Sequence, residues 1–142
     1  MEDKWGLTVR GICEVSNRIL LLKVRQKSSH DAGKWEIPGG KVKKGEFFDE
    51  ALRREYLEET GLDIIIKDFS HVVQNNYTAC KSAEQIKSIQ LIMKVTAPSM
   101  NNVSISEEHD GYGWFTKSEV KELFDNNSLS KAAEKSFENY KF

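Results

Sequence analysis

Cysteine, proline and long apolar runs are all scarce in this chain, and each scarcity removes a class of protein. Cys13 and Cys80 are the only cysteines among 142 residues, and they form neither a Cys-x-x-Cys pair nor a Cys/His ligand spacing. That excludes a disulfide framework and a structural zinc module, and both are expected as ordinary buried or half-buried thiols. Pro38 and Pro98 are the only prolines, and no internal repeat, low-complexity tract or linker interrupts the chain. The longest strongly aliphatic run, Ile19 to Leu22, is far too short to cross a bilayer, and the polar start Met1-Glu2-Asp3-Lys4 does not resemble a signal peptide. A cytoplasmic protein with no membrane partner is expected. An excess of one charge is missing too: 21 Lys and Arg stand against 22 acids, for a net charge of −1 and a pI of about 6.3. No broad nucleic-acid-binding surface follows from that balance.

What is present suffices for one domain. With 39% hydrophobic residues the chain can build a single core over 1–142, and it is too short for two ordinary ones. Leu7 to Val15 and Ile19 to Gln26 are rich in apolar and β-branched residues, with Ser16-Asn17-Arg18 between them as a hairpin turn. Gln26 to Lys34 reads as a polar loop, and Trp35-Glu36-Ile37 as a short extended segment before Pro38-Gly39-Gly40. Leu62 to Ile66, Val72 to Tyr77 and Ser88 to Thr96 read as extended, with Lys81 to Lys87 connecting the last two. Pro98 to Asp110 is polar and turn-rich, and Gly113-Trp114-Phe115 is a short strand. Thr116 with Glu119 makes a capping box that opens a helix to about Phe124. Asp125-Asn126-Asn127 breaks it, and Ser130 to Tyr140 carries Ala132, Ala133, Phe137 and Tyr140 at helical intervals. The order of elements predicts a mixed α/β (α+β) sheet covered by helices.

The chemistry concentrates between Gly40 and Leu62. Good helix formers run without proline from Phe47 to Thr60, and Gly61 stands where a left-handed terminating residue belongs. At about 100° per residue, Phe48, Ala51 and Leu52 share one arc with Glu55, Glu58 and Glu59 further along. The inward face is thus expected to change from apolar to acidic. Three carboxylates at i, i+3 and i+4 repel one another, and partial burial demands a counter-charge. A divalent cation supplies it. Oxygen-only ligands favour Mg²⁺, with Mn²⁺ next, and zinc is disfavoured because no His or Cys joins the cluster. Taken singly, an acidic helix facing water would be the ordinary reading of such residues. The fixed offsets of Gly40, Glu46, Arg54, Glu55, Glu58, Glu59 and Gly61 change that.

In this spacing the chain resembles the Nudix hydrolases, with one departure: Tyr56 stands where the family usually has a bulky aliphatic residue. The resemblance implies an α/β/α sandwich with a mixed sheet and hydrolysis of a diphosphate linkage. It makes Glu58 and Glu59 metal ligands, Glu55 a third ligand or the general base, and the Gly39 carbonyl a further ligand. Arg54, about 100° from Glu55 at the edge of the acidic arc, is placed to pair with Glu46 or Glu58 and hold the loop against the helix, as support for the site. Glu108, with Glu107 as alternative, matches a ligand from outside Gly40–Leu62, the stretch that matches the Nudix box, whereas His109 is expected at the surface. Pro-Gly-Gly-Lys narrows the resemblance to MutT-like nucleoside triphosphate pyrophosphohydrolases. By that likeness Arg25 and Lys41 contact phosphate, His30 contacts substrate, and Asn126 or Asn127 reads a purine edge. Trp35, Tyr77 and Phe69 are candidates for stacking on a base.

The implied reaction is Mg²⁺-dependent cleavage of a nucleoside triphosphate to monophosphate and pyrophosphate, with a nucleotide as the small-molecule partner and homodimer assembly left open. A dinucleoside polyphosphate, ADP-ribose or a capped RNA end would use the same chemistry. Tyr77 lies about where dinucleoside-polyphosphate hydrolases carry a tyrosine, and the lack of a proline at about that distance beyond Gly40–Leu62 counts against ADP-ribose. A nucleotide-sensing domain that binds without cleaving is the non-enzyme alternative. The intact set Glu55, Glu58 and Glu59 disfavours it.

Overall fold

A computed structural model describes residues 4–25, 31–79 and 82–142. Its elements are β1 (Lys4–Val15), β2 (Arg18–Val24), β3 (Trp35–Glu36), β4 (Gly39–Lys41), α1 (Phe48–Thr60), β5 (Ile65–Thr78), β6 (Gln85–Thr96), β7 (His109–Thr116), α2 (Lys117–Asp125) and α3 (Lys131–Glu138). Ser16 and Asn17, both at positive φ, close the β1–β2 hairpin, the conformation that a tight hairpin turn requires.

Among the described residues the sheet is mixed and seven-stranded. β1 lies parallel to β6 and antiparallel to β2 and β4, while β5 flanks β6, and β3 and β7 flank β2. Alternation along β1 divides the two faces. Val9 and Cys13 point to one side, where they pack with Ala51, Leu52 and Tyr56 of α1. Ile12 points to the other, where Val120 of α2 and Ala133 and Phe137 of α3 complete a second core. The result is helices on both faces of one sheet.

β1 and β6 begin three residues earlier than expected and β4 forms at the glycines, but β5 and β7 differ most from the sequence expectation. β5 is a single strand of 14 residues in place of two short ones, because register shifts at Ile66/Asp68 and Phe69/His71 absorb the polar interruption. β7 begins at His109 instead of Gly113, since His109, Gly111 and Tyr112 find ladder partners on β2, with a bulge at Lys23/Val24. Backbone pairing with a distant strand here outweighs local composition.

Candidate functional site

α1 packs against β1 and β4, which places the box carboxylates beside the Gly39–Gly40 backbone. Its buried residues are Ala51, Leu52, Tyr56, Glu59 and Thr60. The expected stripe is therefore corrected at two positions: Phe48 and Glu58 face solvent. Tyr56 is the reason. Its ring fills the core and its hydroxyl donates to the Gly11 carbonyl, so the helix turns Tyr56 and Glu59 inward together. Gly11 leaves the space, since a Cβ there would lie 3.0 Å from the Tyr56 ring.

Arg54 ties loop to helix. Its Nε and Nη2 donate to the two Glu46 oxygens at 2.7 and 3.0 Å, a bidentate pair. Nη1 reaches Glu55 at 3.0 Å and Glu58 at 3.4 Å, and Nη2 also donates to the Lys41 carbonyl at 3.2 Å. The Arg54 hydrogen bond, followed by the Lys43 amide at 2.8 Å, holds the Glu46 carboxyl down at about 2. Glu55 is half-buried against Gly40, where an added Cβ would stand 2.3 Å from its Cδ. Burial raises the Glu55 pKa, and Arg54 opposes the rise.

Glu59 is only 6% exposed. One carboxylate oxygen accepts the Gly39 N–H at 3.0 Å, and the other lies 3.8 Å from His109 Nε2. Gly39 itself admits no side chain, because a Cβ would come within 2.2 Å of the Val9 carbonyl oxygen. Burial first, then the charge of Glu36, pushes Glu59 up to about 9, against the pull of the Gly39 N–H and Arg10. A carboxyl in this state needs a cation to hold it ionised near neutral pH.

His109 corrects the sequence reading directly. It is buried, with Nε2 2.5 Å from Glu36 Oε1 and Nδ1 buried without a partner among the described residues. Pairing with Val24 draws it into the sheet. Glu36, Glu59 and His109 offer ligand atoms within 4.8 Å of one another, so the expected oxygen-only donor set gains an imidazole neighbour. Sequence reasoning missed Glu36 as well. Its signal was strand alternation: Trp35 and Ile37 join the α2/α3-side core, which turns Glu36 to the opposite side.

These groups open into a basin of about 890 Å³, lined by Glu36, Glu55, Glu58, Glu59, Glu107, Glu108, Lys41 and Arg54 among others. A second cleft of about 490 Å³ lies over a polar patch of the α2/α3 face of the sheet, lined by Thr8, Asn75, Tyr77, Gln90 and Lys131 among others. The two share Arg10, Glu36, Gly40 and Lys41. Arg25 is held at the Glu107 carbonyl and near Asp110, 3.7 Å away, and lines neither cavity. Asn126 and Asn127 are exposed in the α2–α3 turn, and the cleft takes Ser130, Lys131 and Ala132 from that region instead. Tyr77 lines the cleft, Trp35 packs on Phe115 with ring centroids 4.9 Å apart, and Phe69 is exposed. His30 and Cys80 lie outside the described residues.

Comparison with known proteins agrees with this geometry. The NUDIX domain profile matches residues 5–136. The nucleoside triphosphatase NudI of Escherichia coli K12 is 34% identical over 100 residues, which cover 67% of this chain and 70% of that protein. Among solved structures, the MutT protein of Methanosarcina mazei Go1 superposes with a TM-score of 0.75 at 27% identity, covering 96% of this chain and 92% of that one. The E. coli ORF135 protein gives a TM-score of 0.71 at 26% identity, covering 96% and 89%.

Proposed function

The chain belongs to the NUDIX family and is one of its pyrophosphohydrolases, and from that premise we propose that it cleaves a (deoxy)nucleoside triphosphate to the monophosphate and pyrophosphate with Mg²⁺. The observation that carries this reading is the wall shared by the two cavities. Arg10, Glu36, Gly40 and Lys41 line both the carboxylate basin and the sheet-face cleft. One groove thus has an acidic end for a metal and phosphates and a polar end with Tyr77 for a nucleoside. The likeness to a nucleoside triphosphatase supports the same substrate class.

Nudix hydrolases use divalent metals, and the residues here fit one. Glu59, too deeply buried to carry its charge alone, and Glu58 are the central donors. Glu55, Glu108 and the Gly39 carbonyl complete the candidates from the family pattern, and Glu36 with His109 stands next to Glu59. A predominantly carboxylate set suits Mg²⁺ shared with phosphate oxygens. When bound, the cation neutralises phosphate oxygens and acidifies the attacking water.

Glu55 takes the proton of that water. It is half-buried in the basin and its pKa is raised by burial, which makes its carboxylate a better base. The water oxygen forms a bond to one phosphorus of the bridge, the bridging P–O bond breaks, and the leaving phosphate carries away the electron pair. Lys41, open to both cavities, offsets phosphate charge. Arg54 and Glu46 hold the Gly40–Glu46 loop on the helix.

A panel of triphosphates, ADP-ribose and dinucleoside polyphosphates, incubated with Mg²⁺ and assayed for products, tests the proposal. Triphosphates should give monophosphate plus pyrophosphate, and Glu58→Gln or Glu59→Gln should lower turnover by about two orders of magnitude. Turnover of dinucleotides or ADP-ribose alone would replace the substrate, and no turnover of any compound would make the domain a binding module.

A further inference from the structure

The sheet-face cleft has a polar floor that phosphate cleavage does not use. Gln90 of β6 stands between Thr8 of β1 and Val73 of β5 in the ladder and is only 2% exposed. Its Oε1 accepts Arg10 Nε–H at 2.8 Å, and Arg10 is itself fixed by donating Nη1 to the Ile37 carbonyl at 2.7 Å. Arginine has donors only, so this contact sets the amide orientation. A flipped amide would bring N–H against N–H.

The Nε2 of Gln90 therefore remains as a donor of fixed direction, with no partner among the described residues and the cleft in front of it. The neighbouring Thr8 and Ser88 hydroxyls bond each other at 3.2 Å. On the same face, opposite Ser88 in the ladder, Asn75 holds a buried Oδ1 without a partner among the described residues. The buried Asn75 acceptor is costly to leave unmet, and the Gln90 donor opens on the same cleft.

We propose that Gln90, oriented by Arg10, reads the nucleobase: Nε2 donates to an exocyclic carbonyl, and the Asn75 amide is free to turn its oxygen toward the adjacent ring N–H, so uracil, thymine and guanine are preferred over adenine and cytosine. The exocyclic atom of a base reaches furthest into a cleft, which matches a carbonyl oxygen to the deep amide of Gln90. Adenine and cytosine would bring an amino group there and set donor against donor. The inference rests on the triphosphatase reading, since it treats the cleft as the nucleoside end of the groove.

The test compares kcat/KM for UTP, dTTP, GTP, ATP and CTP in the wild type, Gln90→Leu and Gln90→Glu, using the ratio of carbonyl-bearing to amino-bearing bases so that general damage cancels. The wild type should favour carbonyl bases by at least about tenfold, as a site built to hydrogen-bond one group rejects its counterpart. Gln90→Leu should bring the ratio near one. Gln90→Glu keeps an acceptor for Arg10, and so keeps the fold if the leucine variant does not, but presents an acceptor to the base and should reverse the preference. An unchanged ratio in Gln90→Glu, or a wild-type preference for adenine and cytosine, overturns the assignment. If the wild type turns over no triphosphate, the triphosphatase reading fails by itself. The same ratios, taken as calorimetric dissociation constants for α,β-methylene triphosphates, then decide Gln90.

Discussion

Glu59 gives the protein a measurable pH dependence when metal is removed. Its carboxyl is pushed up to about 9 in the folded chain, chiefly by burial, whereas an unfolded glutamate titrates near about 4.3. Between those values the folded state holds a proton that the unfolded state has released. Its stabilising contribution is complete below the unfolded pKa and is lost as the pH rises through the folded one. The slope is about 1.4 kcal/mol per pH unit for one proton, so metal-free protein should lose about 3 kcal/mol of stability between pH 6 and pH 8. Glu59→Gln cannot ionise and should lack that component. Urea unfolding in EDTA at the two pH values, for wild type and variant, measures the difference. Equal pH dependence in both proteins would refute the argument that Glu59 is protonated in the folded, metal-free state. Metal should remove the slope, because a cation that holds Glu59 ionised replaces the proton.

Three further perturbations follow from the same contacts. Gly40→Ala places a methyl 2.3 Å from Glu55 Cδ and should reduce kcat at least about tenfold by displacing the proposed base, with unchanged steady-state kinetics arguing against that close approach. Tyr56→Phe removes the buried hydrogen bond to the Gly11 carbonyl and should cost about 1–2 kcal/mol, seen as a lower urea midpoint at constant m-value. An unshifted midpoint would deny that the hydroxyl fixes the helix rotation. His109→Ala leaves Glu36 without its imidazole partner and should weaken Mn²⁺ binding about tenfold or more in calorimetry. Wild-type affinity would place His109 outside the metal's surroundings.

The sequence carried the local parts of the site because they depend on contacts within a few residues. Gly61 ends α1 at φ +72°, with its N–H bonded to Leu57 O, and the Thr116/Glu119 capping box opens α2 as its residues predict. The Arg54–Glu46 pair also follows from offsets along one loop and one helix. Helix rotation did not follow so simply: an angular projection groups Glu58 with Glu59, but it contains no information about Gly11, whose missing side chain lets Tyr56 enter the core. Glu58 is turned outward as a result.

By itself, then, the sequence determined a box helix, its glycine-rich lead-in and the carboxylates that call for a metal, since helical periodicity and backbone freedom are local properties. Tertiary structure decided which carboxyl is buried, and it brought His109 to Glu36 across 73 positions of chain. It also set Arg10 on Gln90 across 80 positions and drew the cleft lining from Ser130, Lys131 and Ala132 in place of Asn126 and Asn127. Those pairings arise from strand register and from the packing of helices on opposite faces of the sheet. Both are fixed when distant segments bury their apolar sides together, which no single stretch of sequence specifies.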